Sequence, residues 1–421
     1  MSTQLRANAT TRDIRHANRL EILRAVYALS GEAARPRSPL TRHALAARTG
    51  LSFPTVSTVV GELLGVGLLG EAGKESSAGG RPRARLRVDP SFGTLVGVDV
   101  AETYVTTDVY DAALRPVSQV RADAEGVSDP EPLSHLIADT VEQALAQAPQ
   151  LPTLGVGVSL PGQVQPDASV SLFAPRWGWN RVPLEQMLRE RLPHRLLLDN
   201  PLKAATLSEL WFGHGRETGD LVTVNLGTGV GAGIAIGGRL LRGTSNNAGE
   251  WGHTTLVLDG WPCRCGRSGC VEAYLGTPGL MRAFAEHFGD DHRYLRPALQ
   301  THFMAAVEAG LRSGEADAAW LLDRFGHLLG HALADLVNML NPELLVLSSW
   351  VVGHVGESLL RVADPVLRSQ ALSGSAAAVR LVASDVTEPV ALGMAALVLE
   401  QLVGEGSLTG ADPTGPQAVG A

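Results

Sequence analysis

The chain has 421 residues, 45% of them hydrophobic and 19% charged, a composition that predicts a globular protein of two or three domains. Its apolar runs are too short to span a bilayer, and its first 20 residues lack the apolar stretch of a secretory signal. We therefore expect a cytoplasmic protein that does not associate with membranes. The net charge of the chain is −8, and it is unevenly distributed: residues 1–90 have a net charge of +7 and the remaining residues a net charge of −15. This asymmetry favours an N-terminal module that meets a polyanion, although a local arginine cluster is the alternative.

The N-terminal part predicts three helices. Apolar residues recur at helical spacing over 12–29, and further helices are predicted over 42–48 and 53–64. Thr41 and Ser52 are placed to cap the second and third helices. Two helices joined by a short turn are typical of the helix-turn-helix of DNA-binding proteins.

A wing is predicted next, from a short strand over 65–70, a Gly-rich stretch over 71–80 and an alternating strand over 81–88. Hydroxyl groups on the third helix and arginines of the wing are suited to base edges, phosphates or a narrow minor groove. The side chains predicted to contact double-stranded DNA are Ser52, Thr55, Ser57, Thr58, Arg81 and Arg83. Taken singly, each hydroxyl fits a solvated helix surface and each arginine a charged strand edge.

After Pro90, short apolar strands alternate with helices and Gly-rich turns over about 300 residues. This pattern predicts two α/β lobes with a cleft between them. The segment from Gly404 onward is rich in Gly, Pro, Ser and Ala and is predicted to be disordered.

The three cysteines lie within eight residues, in the run Cys263-Arg-Cys265-Gly-Arg-Ser-Gly-Cys270, and His253 precedes them. Three thiolates and one imidazole form the closed tetrahedral donor set that zinc prefers in structural sites. We therefore predict a structural Zn²⁺ without a Lewis-acid role; the alternative is three unligated thiols with a chance histidine nearby.

Two carboxylates, Glu250 and Glu272, bracket this cluster in the sequence. Together with the imidazole of His253, they are able to exchange hydrogen bonds with a vicinal diol, which predicts a sugar site. Without the cluster, both glutamates are compatible with solvated loops.

Three segments make the chain resemble the ROK family of repressors and sugar kinases, and its repressor branch in particular. They are LGTGVGAGIAIGGRLLRG (226–243), AGEWGH (248–253) and CRCGRSGCVE (263–272). The resemblance covers residues from about 12 to 403. It implies an α/β fold in which an N-terminal winged helix-turn-helix precedes a two-lobed, actin-like (ribonuclease H-like) domain of the sugar-kinase type.

The resemblance also implies the site residues. Zinc would be bound by His253, Cys263, Cys265 and Cys270. A sugar would contact Asn200, Glu250, His253 and Glu272, with Gly162 and Asn180 closing the pocket. The domains predicted are the DNA-binding module (1–90), the smaller lobe (91–201 plus a helix at about 389–403), the larger lobe with the zinc site (202–388) and the tail (404–421).

Departures from the kinase pattern distinguish a regulator from an enzyme. Kinases of the family carry a Gly-rich phosphate turn after the first strand, where this chain has Ala101 and Glu102, and Glu102 places a negative charge near the expected phosphates. Pro201 stands where the general-base aspartate is expected, and Asp199, one position away, is a poor replacement. A Ser348-Ser349 pair also replaces the usual Gly-Gly turn near the nucleotide.

The sequence thus predicts a DNA-binding repressor without kinase activity that responds to a sugar or sugar phosphate, acting as a homodimer or a dimer of dimers. The sign of the regulation and the identity of the sugar stay open. One alternative is an ATP-dependent sugar kinase with an appended DNA-binding domain. Another is a regulator governed by thiol oxidation or by zinc supply.

Overall fold

The computed structural model of the chain describes residues 10–30, 39–75, 83–165, 170–174 and 177–407. Contacts divide the chain into two compact units: the first runs up to Phe212 and resumes at Glu388, and the second comprises Gly213–Thr387. The first unit thus extends beyond the predicted lobe boundary at 201 and contains the N-terminal module, whose separation at residue 90 stays a prediction. Among the described helices, none combines the length and apolar character needed to cross a membrane.

The N-terminal module of the first unit is a winged helix-turn-helix, as the sequence predicts. Its elements are α1 (Thr11–Ser30), α2 (Arg42–Thr49), α3 (Phe53–Val66), β1 (Leu69–Glu75) and β2 (Arg83–Val88). The Thr41 hydroxyl caps α2 by accepting from Ala44 N at 3.1 Å, and the Ser52 hydroxyl caps α3 by accepting from Thr55 N at 3.3 Å. Because α3 continues to Val66, the wing begins later than the sequence pattern suggests.

The rest of the first unit is built on a five-stranded sheet with the order β10-β6-β3-β4-β5. The elements that follow the wing are β3 (Thr94–Val100), β4 (Tyr104–Asp111), β5 (Pro116–Asp123), α4 (Pro130–Gln147), β6 (Thr153–Ser159), β7 (Gln163–Gln165), β8 (Val170–Ala174), β9 (Trp179–Val182), α5 (Leu184–Arg189), β10 (Leu196–Asp199), α6 (Pro201–Trp211) and, at the C-terminal end, α13 (Pro389–Glu405). β7, β8 and β9 form a separate small antiparallel sheet. The side chains of β3 are all buried, which accounts for its unbroken apolar run.

The helix α13 packs directly against β3 and β6 and against α6. Glycines permit this approach: a Cβ at Gly97 of β3 would lie 1.8 Å from the Ala391 carbonyl oxygen. Likewise, a Cβ at Gly393 of α13 would lie 1.9 Å from the carbonyl oxygen of Ala204 in α6. The helix also continues through Gly404 to Glu405, into the segment predicted to be a tail, while residues 408–421 of that segment lie outside the described residues.

The second unit contains another five-stranded sheet, with the order β13-β12-β11-β14-β15. Its elements are β11 (Leu221–Leu226), β12 (Val230–Ile236), β13 (Arg239–Leu240), α7 (Val271–Leu275), α8 (Thr277–Phe288), α9 (Gln300–Ser313), α10 (Ala316–Leu340), β14 (Leu344–Ser348), α11 (Trp350–Gln370), α12 (Ser373–Ala378) and β15 (Arg380–Ala383). The long helices α10 and α11 pack together and enclose the core of this unit.

The two sheets have the same topology. In each, three consecutive strands form an antiparallel meander (β3-β4-β5 and β11-β12-β13), and two later strands add in parallel on the side of the first strand (β6 and β10; β14 and β15). This duplication is the two-lobed α/β architecture that the sequence predicts, although no repeat of short period marks it in the sequence.

Candidate functional site

The predicted metal ligands converge in the second unit. The ligand atoms of His253, Cys263, Cys265 and Cys270 lie within 4.8 Å of one another. Cys263 Sγ is 3.7 Å from His253 Nδ1, and Cys265 Sγ is 3.7 Å from Cys270 Sγ. A zinc ion about 2.3 Å from each of its sulfur ligands in a tetrahedron sets those sulfurs about 3.8 Å apart. The cluster therefore could hold a metal ion, and its dimensions fit zinc.

Burial disfavours ionisation of two of the thiols. It is the largest effect that raises the pKa of Cys263 and of Cys270. A bound cation reverses this preference because it binds the thiolate and displaces the proton.

The two predicted carboxylates lie beside the cluster. Glu250 Oε2 is 3.9 Å from His253 Nε2, the ring nitrogen that does not face the cysteines. Glu272, in α7, accepts a hydrogen bond from Val230 N at 3.1 Å through Oε2, and its Oε1 lies 3.7 Å from Cys263 Sγ. The structure thus brings together the three sugar-contact residues predicted in this unit.

The segment that carries Glu250 and His253 is held against β12 by backbone contact. Glu250–His253 form a single 3₁₀ turn, and a Cβ at Gly252 would lie 1.8 Å from the Val230 carbonyl oxygen. Only glycine fits at this distance, which explains the glycine in the Glu-Trp-Gly-His segment. Val230 thereby contacts the 3₁₀ turn through its carbonyl and Glu272 through its N–H, so one residue of β12 positions both carboxylates.

In the first unit, the structure joins two of the predicted sugar-contact residues. Asn200 is buried at the N-cap of α6, where its Oδ1 accepts from Leu202 N at 2.8 Å. Its Nδ2 donates to the Gly162 carbonyl oxygen, also at 2.8 Å. Asn180 is exposed on β9, where it pairs with Phe173 of β8. Asn200 and Gly162 therefore form one polar element, and the role predicted for Asn180 stays a prediction.

The turn between β3 and β4 is flanked by a contact that the sequence patterns missed, between Asp99 of β3 and Tyr104 of β4. Ala101 N donates to the Tyr104 carbonyl oxygen at 2.9 Å, which closes the turn. The Tyr104 hydroxyl donates to Asp99 Oδ2 at 3.1 Å, and the Arg121 guanidinium lies 3.8 Å from the centre of the Tyr104 ring. Burial raises the pKa of Asp99 to about 6. Asp99 is thus buried under a tyrosine that follows it by five residues, at a spacing that no motif signalled.

The backbone of the Gly-rich turn between β11 and β12 is also held by hydrogen bonds within the protein. Gly227 N donates to the Gly229 carbonyl oxygen at 3.0 Å, and the Thr277 hydroxyl donates to the Gly227 carbonyl oxygen at 3.1 Å. A Cβ at Gly227 would lie 3.1 Å from Trp350 Nε1, so the indole covers this turn. Ser349 belongs to the Ser348-Ser349 pair that departs from the kinase pattern, and its side chain caps α11. Its hydroxyl also donates a hydrogen bond to the Leu226 carbonyl oxygen.

Most of the predicted DNA-contacting residues fall on two elements: Ser52 is the N-cap of α3, Thr55, Ser57 and Thr58 lie on α3, and Arg83 lies on β2. Ser52 and Thr58 are exposed, and Thr55 and Ser57 are half-buried. Several hydroxyls already have local partners, since Ser52 Oγ lies 2.8 Å from Thr55 Oγ1 and Thr58 donates to the Pro54 carbonyl oxygen at 3.0 Å.

On the wing, Arg83 is exposed, whereas Arg81 lies outside the described residues. Arg85 and Arg87, which are not among the predicted contacts, are exposed on the same face of β2 as Arg83. The two-residue period of the strand could have identified them.

The model of the ROK family matches residues 95–401, well over half of the chain. The xylose repressor of Caldicellulosiruptor bescii is 27% identical over 359 residues, which cover 84% of this chain and 90% of that protein. A solved ROK family transcriptional regulator, a homolog of the E. coli MLC protein, aligns with a TM-score of 0.74 and 21% identity over 93% of this chain and 98% of that one.

A ROK family glucokinase from Streptomyces griseus, solved with glucose and AMPPNP, aligns with a TM-score of 0.63 and 27% identity. The alignment covers 99% of that protein but only 72% of this chain. The two sheets of like topology and the segments around the metal cluster lie within the family match, and the winged helix-turn-helix precedes it. The chain belongs to the ROK family.

Proposed function

We propose that this protein is a DNA-binding transcriptional repressor whose affinity for its operator changes when a sugar or sugar phosphate binds. The observation that carries the proposal is the winged helix-turn-helix ahead of the ROK domain. The glucokinase alignment covers 72% of the chain, whereas the alignment with the regulator covers 93%. The relative named xylose repressor, similar over 84% of the chain, supports the same function.

The DNA-binding surface of the proposal consists of α3 and the wing. The exposed arginines of β2 supply positive charge for phosphates, and the hydroxyls at the start of α3 are small enough to approach base edges. Two such modules in a homodimer, or in a dimer of dimers, would bind a palindromic operator in the cytoplasm.

Two sets of residues are proposed for the sugar, one in each unit. Asn200 and Gly162 form the first set, with Asn180 as a further candidate. Glu250, His253 and Glu272 form the second set, which is held in place by the metal cluster. In this proposal the metal is a structural Zn²⁺ bound by His253 and the three cysteines, because all four ligand positions are filled by protein groups.

We further propose that the protein does not phosphorylate its ligand. Pro201 occupies the first position of α6, next to Asn200, and has no group that can accept a proton. Asp199 is buried, and its Oδ1 accepts from Asn200 N at 2.8 Å. Loss of a general base alone lowers the rate of proton-transfer catalysis by a factor of about 10² to 10⁴.

The DNA-binding part of the proposal is tested by fluorescence anisotropy with a labelled fragment of the gene's own promoter region. Binding should weaken steeply as salt rises, because contacts to phosphates release counterions. Deletion of residues 1–90 should abolish binding, with circular dichroism as the control that the remainder is folded. Equal binding by the folded, truncated protein would refute the assignment.

The sugar is identified by a thermal-shift screen of sugars and sugar phosphates. A ligand at one hundred times its dissociation constant should stabilise the fold by about 2.7 kcal/mol. The hit is then added to the anisotropy assay, where a change in operator affinity is expected. A coupled assay of ATP consumption with the same sugar distinguishes the kinase alternative: turnover that is lost in the Asn200→Ala variant would establish an enzyme.

A further inference from the structure

Two helices of the first unit connect predicted ligand-binding elements to the DNA-binding module. α6 begins at its N-cap Asn200 and ends at Trp211. α13 begins beside β3, where the Ala391 carbonyl meets Gly97, two residues before Asp99. Both helices end against α1 of the winged helix-turn-helix.

The first junction is aromatic. The ring of Tyr27 in α1 stacks on the indole of Trp211, with ring centres 5.3 Å apart and planes inclined by 24°. Phe212 meets the same tyrosine edge-on, with ring centres 6.5 Å apart. Tyr27 and Trp211 are each 1% exposed, and the Tyr27 hydroxyl donates to the Ala112 carbonyl oxygen at 2.5 Å. The C-terminal end of α1 is therefore fixed to the C-terminal end of α6.

The second junction is formed by the last turn of α13. His16 Nδ1 lies 2.9 Å from the Gly404 carbonyl oxygen, and a Cβ at Gly404 would lie 2.4 Å from the imidazole ring. One turn along α1, Arg19 lies against Gly406 and also forms an ion pair of 3.0 Å with Glu62 of α3. This junction thus connects α13, through α1, to α3, the helix of the proposed DNA-binding surface.

The two helices are also joined to each other without an intervening side chain, since Gly393 meets the Ala204 carbonyl oxygen. Backbones in such close contact cannot slide past each other without a clash, so a shift of either helix is transmitted to both. A shift at the N-terminus of α6 is therefore transmitted to α1 through both junctions.

We propose that α6 and α13 act as one rigid connector through which the state of Asn200 sets the position of α1, and hence the affinity of α3 for DNA. The proposal deepens the proposed function and rests on it. Asn200 Nδ2 holds the Gly162 carbonyl and Oδ1 holds the first turn of α6, so a sugar hydroxyl that competes for either group changes how α6 begins. Coupling of this kind requires that the ligand bind the two positions of the connector with different affinity, typically by 5-fold to 150-fold.

A double-mutant cycle tests the connector without knowledge of the natural ligand. Operator affinity of the full-length protein is measured by anisotropy for the wild type, Asn200→Ala, Tyr27→Leu and the double variant. The 11 residues of α6 span about 16 Å, a distance at which substitutions without a physical link act additively. We expect Asn200→Ala to change the operator dissociation constant at least 5-fold in the wild-type background and less than 2-fold in the Tyr27→Leu background.

Two variants serve as controls. Tyr27→Phe removes only the hydrogen bond to Ala112 and should preserve most of the coupling. If Tyr27→Leu fails to fold, His16→Ala takes its place in the cycle, because it removes the imidazole from the second junction and should likewise reduce the effect of Asn200→Ala to less than 2-fold. Trp320→Leu removes an aromatic side chain that stacks on His287 in the second unit, and the effect of Asn200→Ala should be unaltered by it.

The outcomes separate the connector from the proposed function. No operator binding by the wild type would refute the proposed function itself. Operator binding by the wild type that is unaffected by Asn200→Ala, or affected equally in the Tyr27→Leu background, would overturn the connector and leave the repressor assignment standing.

Discussion

Cys265 Sγ and Cys270 Sγ lie 3.7 Å apart, close to the edge of a zinc–thiolate tetrahedron. The same cluster adjoins both carboxylates of the second unit, because Glu250 faces its histidine and Glu272 faces Cys263. Loss of the metal would therefore disturb the proposed sugar contacts as well as the local fold.

The first prediction concerns this metal. The wild-type protein should carry about one zinc per chain, and Cys265→Ser should lose it, because a neutral hydroxyl is a poor substitute for a thiolate ligand. Elemental analysis after dialysis against a weak chelator measures the metal, and thermal unfolding should show a lower Tm. Ser268→Ala, in the same loop, should retain the metal. Stoichiometric zinc in Cys265→Ser would contradict the ligand assignment.

The wing gives the second prediction. Arg85 is exposed on β2 between Arg83 and Arg87. If it contacts a phosphate, Arg85→Ala should weaken binding to all DNA sequences by a similar factor and reduce the slope of log affinity against log salt by about 1. Anisotropy titrations at several salt concentrations, with operator and scrambled fragments, measure both effects. Arg324→Ala, an exposed arginine of the second unit, is the matched control. An unchanged salt slope for Arg85→Ala would exclude the contact.

The third prediction follows from Asp108, a buried carboxylate on β4. Its Oδ1 accepts from Gln119 Nε2 at 2.8 Å, while Oδ2 is buried and has no hydrogen-bond partner among the described residues. Burial, the largest effect, and the nearby charge of Glu388 raise the pKa of Asp108 to about 6. Because the pKa is higher in the folded than in the unfolded state, ionisation destabilises the fold as pH rises from about 4 to about 6, and the penalty persists above that.

Asp108→Asn keeps the acceptor for Gln119 and removes the charge. The free energy of unfolding at pH 7.5 should therefore rise by about 1–2 kcal/mol, a figure reduced from the full shift to allow for solvent screening. The gain should vanish below about pH 4, where the wild-type carboxyl is protonated. Urea unfolding across this pH range measures it, with the exposed Glu125→Gln as the control. A gain that is independent of pH would show that the charge is not its cause.

The fourth prediction concerns the contact between β3 and α13. In Gly97→Ala, the new methyl group would meet the Ala391 carbonyl at 1.8 Å, so the backbone of the helix or the strand has to move. The free energy of unfolding should fall by about 3 kcal/mol. Gly61→Ala, in α3, meets nothing within 4 Å and should stabilise the protein by about 0.5–1 kcal/mol. Equal stability of Gly97→Ala and wild type in urea would contradict the contact.

The sequence predicted the winged helix-turn-helix and the two α/β lobes because caps, strand periods and Gly-rich turns are local signals. Thr41 and Ser52 cap the helices that they were predicted to cap. The metal cluster was predictable for the same reason, since three of its four ligands lie within eight residues.

Contacts between distant segments could not be predicted in this way. Nothing in the local pattern around Tyr104 indicates that its hydroxyl covers Asp99, or that Trp350 covers the turn at Gly227. The duplicated sheet topology left no short repeat, because strand order is set by tertiary packing and not by residue identity. Gly404 was assigned to a disordered tail on composition, whereas the structure places it in α13 against His16.

That last contact fixes an order of events during synthesis. α1 leaves the ribosome well before α13, which begins roughly 360 residues after α1 ends. At a translation rate of about 5–20 residues per second, α13 becomes available to the winged helix-turn-helix roughly 20 to 70 s after α1 has been synthesised. A nascent chain, or one that terminates before α13, therefore presents a DNA-binding module that α13 does not yet hold, and control by ligand through the connector begins only after α13 has been synthesised.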